Sequence, residues 1–363
     1  MARQAVNEEP TRDMKFGLFI LPSWPDESTQ TQARILGEAV EQAQYAEELG
    51  FDSVWLAEHH FCRYGIVPNA IPMAMYVAAR TKKIRIGTGV SVLTFHNPIF
   101  LAEETALLDA LSEGRLDFGV GRGQVVYEYS NFNVDYDSRT VRFQEILDII
   151  IGLWTTAGFT YHGKYYQVDD LTVAPSPVQK PHPPIFLAVS RTAASVDVAV
   201  SRDLPILTSP TTPDEDTLGI AHLYYERCAA AGKAPRVEQM PFFRMVYAAD
   251  DEKHAIEDPR HAVAWVYDLN GLRRSLTGGS EIYMDMDDWR RTRPEAPPSY
   301  ETYLETTAYF GTPDRLVTKI GRLRDEHNIQ YFGASMSFGS MKHSKVMRSM
   351  ELFAREVMPH FRE

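Results

Sequence analysis

The sequence predicts an α/β chain of the (β/α)8 type, with insertions on the face formed by the carboxyl ends of its strands. Three observations predict it. Short apolar runs alternate with stretches of helical period from Lys15 to His360, the pattern of successive βαβ units. Eight strand-like runs can be counted, which favours a barrel over a doubly wound sheet. Polar, titratable or glycine-rich clusters follow these runs at the strand ends, where parallel α/β folds bind ligands.

Taken in order, Lys15 to Leu21 is a near-continuous apolar run suited to a strand covered on both faces. Pro22, Pro25 and Ser28 make a loop. Thr31 to Leu49 carries Ile35, Leu36, Ala39, Ala43 and Ala46 at helical spacing, and Gly50 closes it. A buried strand from about Ser53 runs straight into Glu58, His59 and His60. Asn69 to Thr81 is a helix, Lys83 to Val92 the third strand, Pro98 to Ser112 a helix closed by Gly114, and Arg115 to Gly121 the fourth strand. Tyr127 to Asp137 is aromatic and acidic without helical period and reads as a loop. Arg139 to Trp154 is helical. Phe159 to Val168 alternates around His162 and Gly163 as a hairpin.

Ile185 to Val189 is strand five, followed by a helix from about Ala193 to Ser201 with Ser190 and Thr192 as caps. Leu204 to Thr208 is strand six, Asp214 to Ala231 a helix, and Met240 to Ala248 strand seven. Asn270 to Tyr309 breaks the rhythm, with Gly278 and Gly279, an acidic run from Asp285 to Asp288 and three prolines. Such a stretch is a disordered excursion or a functional lid. Thr312 and Pro313 then start a helix that ends near His327. Ile329 to Ser337 is strand eight and His343 to His360 a closing helix. The expected organisation is a polar, disordered extension over 1–13 and a single domain over 14–363. A hairpin insertion falls at about 158–184 and a lid at about 270–309.

The composition, 44% hydrophobic and 24% charged over 363 residues, is that of an ordinary globular chain. A net charge of -12 argues against a binder of nucleic-acid phosphates. Two cysteines, Cys62 and Cys228, cannot make a disulfide framework, so a cytoplasmic location is expected. No run approaches the ~18 apolar residues of a membrane span, and the polar start carries no apolar leader segment.

Two adjacent histidines at a strand end fit a metal site, an acid/base site or a packed loop. Neighbours on a strand point opposite ways, so both reaching one ion is disfavoured, and no metal is expected. Gly89 would let a flat ligand lie against backbone. Arg122, flanked by Gly121 and Gly123, and Arg139 are candidate phosphate clamps. Ser190 and Thr192 at a helix N-terminus either help hold an anion or only cap the helix. No P-loop or dinucleotide fingerprint is present.

Met14 to Phe19, Gly50 to Phe61 with its Glu58-His59-His60-Phe61 block, Ile86 to Gly89, Leu107 to Arg115, Phe118 to Gly123 and Gly311 to Pro313 together resemble the bacterial luciferase-like flavin monooxygenase family. The likeness is to the luciferase alpha subunit and its stand-alone relatives. It implies a TIM barrel that takes reduced FMN (FMNH2) from a separate flavin reductase. O2 adds to give a C4a-peroxyflavin, and one oxygen atom passes to an aldehyde, a ketone or a specialised metabolite. It implies His59 as the catalytic histidine, with Glu58 beside it as a catalytic residue that contacts the flavin or orients the site. Arg122, Arg139 and Ser190, with Thr192 or the Ala193 amide, would hold the phosphate, and Ala188 would also bind the cofactor. Gly89 and Val90 would form a cis peptide against the flavin ring. Gly121 stands where luciferases have a reactive Cys, and Val189 where luciferase has a Glu. A substrate pocket including Trp24, Phe61, Tyr127 and lid residues, and a homodimer, are further expectations. The alternatives are a deazaflavin (F420)-dependent oxidoreductase on the same barrel and a non-catalytic flavin-binding subunit.

Overall fold

The computed structural model describes residues 13–25 and 30–362. The expected extension over residues 1–12, and Ser28 in the first loop, lie outside the described residues. The chain opens with β1 (Lys15–Ile20), α1 (Gln32–Glu48), β2 (Ser53–Leu56) and α2 (Ala70–Arg80). β3 (Arg85–Thr88), β4 (Ser91–Val92), α3 (Pro98–Leu111), β5 (Leu116–Gly121), α4 (Val126–Asn131) and α5 (Arg139–Thr155) follow. The antiparallel hairpin β6 (Phe159–His162) and β7 (Gln167–Leu171) stands apart from the main sheet. Then come β8 (Ile185–Ala188), α6 (Ala193–Ser201), β9 (Ile206–Leu207), α7 (Asp214–Ala230) and β10 (Phe242–Ala248). The last third comprises α8 (Glu252–Glu257), α9 (Arg260–Ser275), α10 (Met286–Thr292), α11 (Tyr300–Thr306), β11 (Tyr309–Gly311), α12 (Pro313–His327), β12 (Tyr331–Ser337) and α13 (His343–Glu356).

The capping signals act as the sequence suggests. Thr31 accepts from the Arg34 amide, Asn69 from Ile71, and Asn97 from Ile99 and Phe100. Each satisfies N–H groups that the first helical turn leaves without a partner. The main sheet is parallel, in the order β11-β10-β12-β1-β2-β3-β5-β8-β9, with β4 added on β5. Among the described residues no ladder joins β9 to β10. Instead Thr208 Oγ1 accepts from the Phe243 amide at 3.0 Å and donates to the Pro241 carbonyl at 3.4 Å. The sheet therefore curls until the residue after β9 reaches the start of β10 through one side chain.

Alternation along the strands splits the core. Leu18 and Ile20 pack outward with the helices, while Phe19, Trp55, Phe186 and Phe243 fill the inside. Trp55 meets the Phe186 ring edge-on at 5.0 Å, and Phe19 lies 5.0 Å from Phe243. These rings make an aromatic floor. A Cβ at Gly87 would fall 2.2 Å from the Trp55 ring, so only glycine fits beneath it.

Four expectations are corrected. The third strand is not continuous, because the Gly89-Val90 peptide is cis and separates β3 from β4. The loop expected at Tyr127 to Asp137 contains α4, whose six residues are too few to show a period. It is held by packing: Tyr127 is fully buried, and Phe132 stacks on Phe95 at 4.7 Å. The irregular stretch from Asn270 to Tyr309 carries the end of α9, then α10, α11 and β11. Asp268 anchors it by accepting from Arg290 Nε at 2.7 Å and from Arg293. The closing helix stops at Glu356, and a 3-10 turn follows over Met358–Phe361. Pro359 has no N–H with which to continue an α-helical ladder.

Candidate active site

A cavity of about 660 Å³ opens beyond the carboxyl ends of the strands. β2 delivers Glu58 and His59 to its wall, and the cis peptide delivers Gly89 and Val90. The turn after β5 adds Gly121 and Arg122, the turn after β8 adds Ser190 and Thr192, and α5 adds Arg139. Thus the expected site residues, Ala188 included, all line one cavity.

The two histidines diverge. His59 faces the cavity, its ring edge-on to Tyr64 at 5.1 Å, and its Nδ1 lies 3.1 Å from Arg273 Nη2. His60 turns the other way into an aromatic nest, edge-on to Phe132 at 4.8 Å and to Phe95 at 5.4 Å. Burial first, then the charges of Arg273 and His60, hold the His59 imidazole well below its ordinary pKa. Among the described residues no group of three His, Cys, Asp or Glu side chains is placed to hold a metal ion.

Glu58 is buried and occupied. Its Oε1 lies 3.2 Å from His60 Nε2 and 2.9 Å from His96 Nε2, and accepts from the Val92 amide at 3.2 Å. Burial alone raises such a carboxyl, but the bonds from His60 and His96 outweigh it and hold Glu58 below its ordinary value. The partner effect appears on His96, which is raised by its bond to Glu58 against the lowering by burial. The carboxylate therefore ties β2 to the β4 strand and the loop behind it.

At the other end of the cavity, Arg122 donates from Nη1 to Thr140 Oγ1 at 2.9 Å and from Nη2 to Ser195 Oγ at 3.2 Å. Arg139 stacks 3.8 Å over the Tyr136 ring. Gln124 Nε2 donates to Ser190 Oγ at 2.9 Å, and the Thr192 and Ser195 hydroxyls lie 2.8 Å apart. Thr192 occupies the N-cap position of α6, yet its side chain makes no capping bond. The expectation that Ser190 and Thr192 cap this helix is corrected: their hydroxyls bond to Gln124 and Ser195 instead. Two guanidiniums, three hydroxyls and a helix N-terminus make this end a fit for a dianionic phosphate.

Trp24, Phe61 and Tyr127 do not line the cavity. Tyr127 is buried and donates to the His60 carbonyl at 3.0 Å, and Phe61 packs on Phe132 at 5.2 Å. The expected lid does contribute, through Asn270, Arg273 and Arg274. Arg273, Glu128, His96 and Ser195 were not singled out from the sequence. Only Ser195 had a signal there, lying three residues after Thr192 at a helix start.

The model of the family described as luciferase-like monooxygenase matches residues 14–326. The chain belongs to the luciferase-like monooxygenase family. It is thus a member of an enzyme family, and its relatives include oxygenases. The oxygenase component of a flavin-dependent trigonelline monooxygenase from Acinetobacter baylyi is 33% identical over 245 residues, covering 67% of each chain. The crystal structure of the monooxygenase RslO1 from Streptomyces bottropensis superposes with a TM-score of 0.83 at 28% identity, over 96% of this chain and 100% of that one. Two further structures at 19% identity share the fold. One is the oxygenating constituent of 3,6-diketocamphane monooxygenase from Pseudomonas putida in complex with FMN, with a TM-score of 0.79 over 96% and 98% of the two chains. The other is an F420-dependent secondary alcohol dehydrogenase, with a TM-score of 0.72 over 97% and 100%. In this chain the Gly121 position is tight, since a Cβ there would approach Val90 Cγ2 to 2.7 Å. Val189 borders the cavity, but its buried side chain packs in the outer core with the helices.

Proposed function

We propose that the chain is the oxygenase of a two-component system. It takes reduced FMN from a separate reductase and transfers one atom of O2 to an organic substrate. The other oxygen atom leaves as water, and the two electrons come from the flavin. The observation that carries this reading is that His59 and the Arg122/Arg139 cradle open on one cavity, with Gly89 and Val90 on its wall. A volume of about 660 Å³ lies within the range of cofactor sites. Bound there, reduced FMN supplies the electrons that activate oxygen, and the protein supplies placement and dryness.

Each residue has a role in this reading. Arg122 and Arg139, with Ser190, Thr192 and Ser195, take the phosphate. Gly89, Val90 and Ala188 flank the ring. His59 offers an N–H hydrogen bond to oxygen at the ring, and Glu58 fixes the strand end that carries it. The whole is one (β/α)8 domain over 14–363, with the 158–184 hairpin inserted and the 270–309 segment acting as a lid that keeps water out. Tyr76, Phe100, Leu107 and Leu111 expose an apolar face on α2 and α3, which supports a homodimer. No helix among the described residues is long and apolar enough to cross a membrane.

The test is oxygen uptake by the purified chain supplied with photoreduced FMN, and separately with reduced F420. Oxygen uptake and hydrogen peroxide release at a rate distinct from that of free reduced FMN, and changed in His59→Ala, are expected. Hydride transfer with reduced F420, and a rate with reduced FMN equal to that of the free flavin, would sink the proposal.

A further inference from the structure

We propose that Arg273 is a positioning residue that holds His59 in the neutral tautomer with its single proton on Nε2. The proposal rests on the reading of His59 as the group that hydrogen-bonds oxygen at the ring. A guanidinium carries N–H donors and no acceptor. Arg273 Nη2 lies 3.1 Å from His59 Nδ1, so a hydrogen bond requires Nδ1 to be bare. A doubly protonated ring would aim an N–H at a cation. The ring's one remaining proton is then on Nε2, which becomes its donor.

Both partners are held. The His59 ring is wedged between Tyr64 and Gly65, where a Cβ would come within 2.8 Å of His59 Cδ2. Arg273 is buried; its Nη2 also donates to Glu128 Oε1 at 3.0 Å and its Nε to the Tyr127 hydroxyl at 3.4 Å. Its guanidinium lies 4.8 Å over the Tyr64 ring. Nη2 carries two hydrogens, one for Glu128 and one for His59. The charged and titratable groups around His59 are Glu58 and His60 beside it, Cys62 and Tyr64 on the next loop, Tyr127 and Glu128 from α4, and Arg273 and Arg274 from α9. Among the described residues Arg273 is the one whose side chain hydrogen-bonds the ring. Burial and the Arg273 charge both disfavour a second proton, in agreement with the geometry.

Arg273 comes from the last turn of α9, at the root of the lid segment. The stretch beyond is fastened to the elements that hold this network. Glu281 accepts from Arg63 Nε at 2.9 Å, Ser280 Oγ donates to the Phe61 carbonyl at 2.7 Å, and Asn131 Nδ2 donates to the Gly279 carbonyl at 2.6 Å. Docking of this segment and the proton position on His59 are therefore linked through one side chain.

The experiment is long-range 1H–15N NMR of the imidazoles in the full chain without cofactor, from pH 5 to 8. His59 is expected as one neutral tautomer protonated on Nε2, with no titration near 6.5. In Arg273→Met the tautomers mix and the midpoint rises toward the ordinary value, while Arg273→Lys keeps the Nε2 form. Because Arg273→Met strands the Glu128 carboxyl, Arg273→Met/Glu128→Gln is measured as well. A wild-type proton on Nδ1, or an unchanged tautomer and midpoint in the double variant, overturns the proposal. Hydrogen peroxide release from reduced FMN and O2 is read on the same proteins, and a change of roughly 10²-fold in rate is expected in Arg273→Met. If His59→Ala leaves that rate untouched while the NMR result holds, the functional reading of His59 fails and the tautomer assignment stands.

Discussion

The two ends of the cavity are built on opposite plans. Around His59 the polar groups are buried and tied to one another: Arg273 with Glu128, and Glu58 with His60 and His96. At the other end Arg122 bonds to Thr140 and Ser195, and Gln124 to Ser190, on more open surfaces. Low dielectric strengthens hydrogen bonds and penalises any that are left unmade. The first end is therefore preorganised and intolerant, as suits a group that must act at a developing charge. On the proposed function, the second keeps its cations accessible for an anion that arrives with the ligand. Changes at the first end should alter rate or stability, and changes at the second should alter affinity.

The sharpest break in that contrast is His59→Ala. Turnover should fall by about 10²–10⁴, the usual worth of a positioned acid/base group, with affinity for reduced FMN nearly unchanged. An affinity loss as large as the rate loss would erase the division. Next is Glu128→Ala, which leaves Arg273 charged and buried without its carboxylate. Urea unfolding should show a loss of about 3–5 kcal/mol, and a loss under about 1 kcal/mol would mean that water reaches the pair.

Stability against pH gives a third measure. The unfolded His59 takes up a proton near 6.5, whereas burial and then Arg273 and His60 hold the folded ring lower. Its contribution is present above pH 6.5 and is lost as pH falls from there toward the folded value. His96 runs the other way: raised by Glu58 against burial, it contributes below 6.5 and loses that contribution as pH rises through its folded value. His59→Gln should therefore flatten the acid limb of a stability curve and leave the other limb alone. The smallest effect belongs to Thr192→Val. Since Thr192 makes no capping bond, the cost should stay below about 0.5 kcal/mol instead of the ~1 kcal/mol of a lost cap.

What the sequence made legible follows the same contrast. The alternation of strands and helices, and the residues at the strand ends, are local signals. Glu58, His59, Gly89, Arg122, Arg139, Ser190 and Thr192 could be placed from them and from the family resemblance, and all line the cavity. The network behind His59 was not legible. Glu128 lies 145 residues from Arg273, on a helix too short to show a period. Arg273 sits at the start of a stretch whose acidic and proline-rich composition reads as irregular. Within that stretch α10 is capped by Asp285 and anchored by Asp268, contacts that no hydrophobic period records.

The most direct test of the central claim is the ratio of dissociation constants for reduced riboflavin and reduced FMN, measured anaerobically. It should be compared between the wild-type chain and Arg122→Met/Arg139→Met. The wild type should favour reduced FMN by at least about tenfold, since each charge-assisted bond is worth about 1.5–3 kcal/mol, and the double variant should bring the ratio close to unity. A wild-type ratio near unity, or a preference that survives loss of both guanidiniums, would contradict the account.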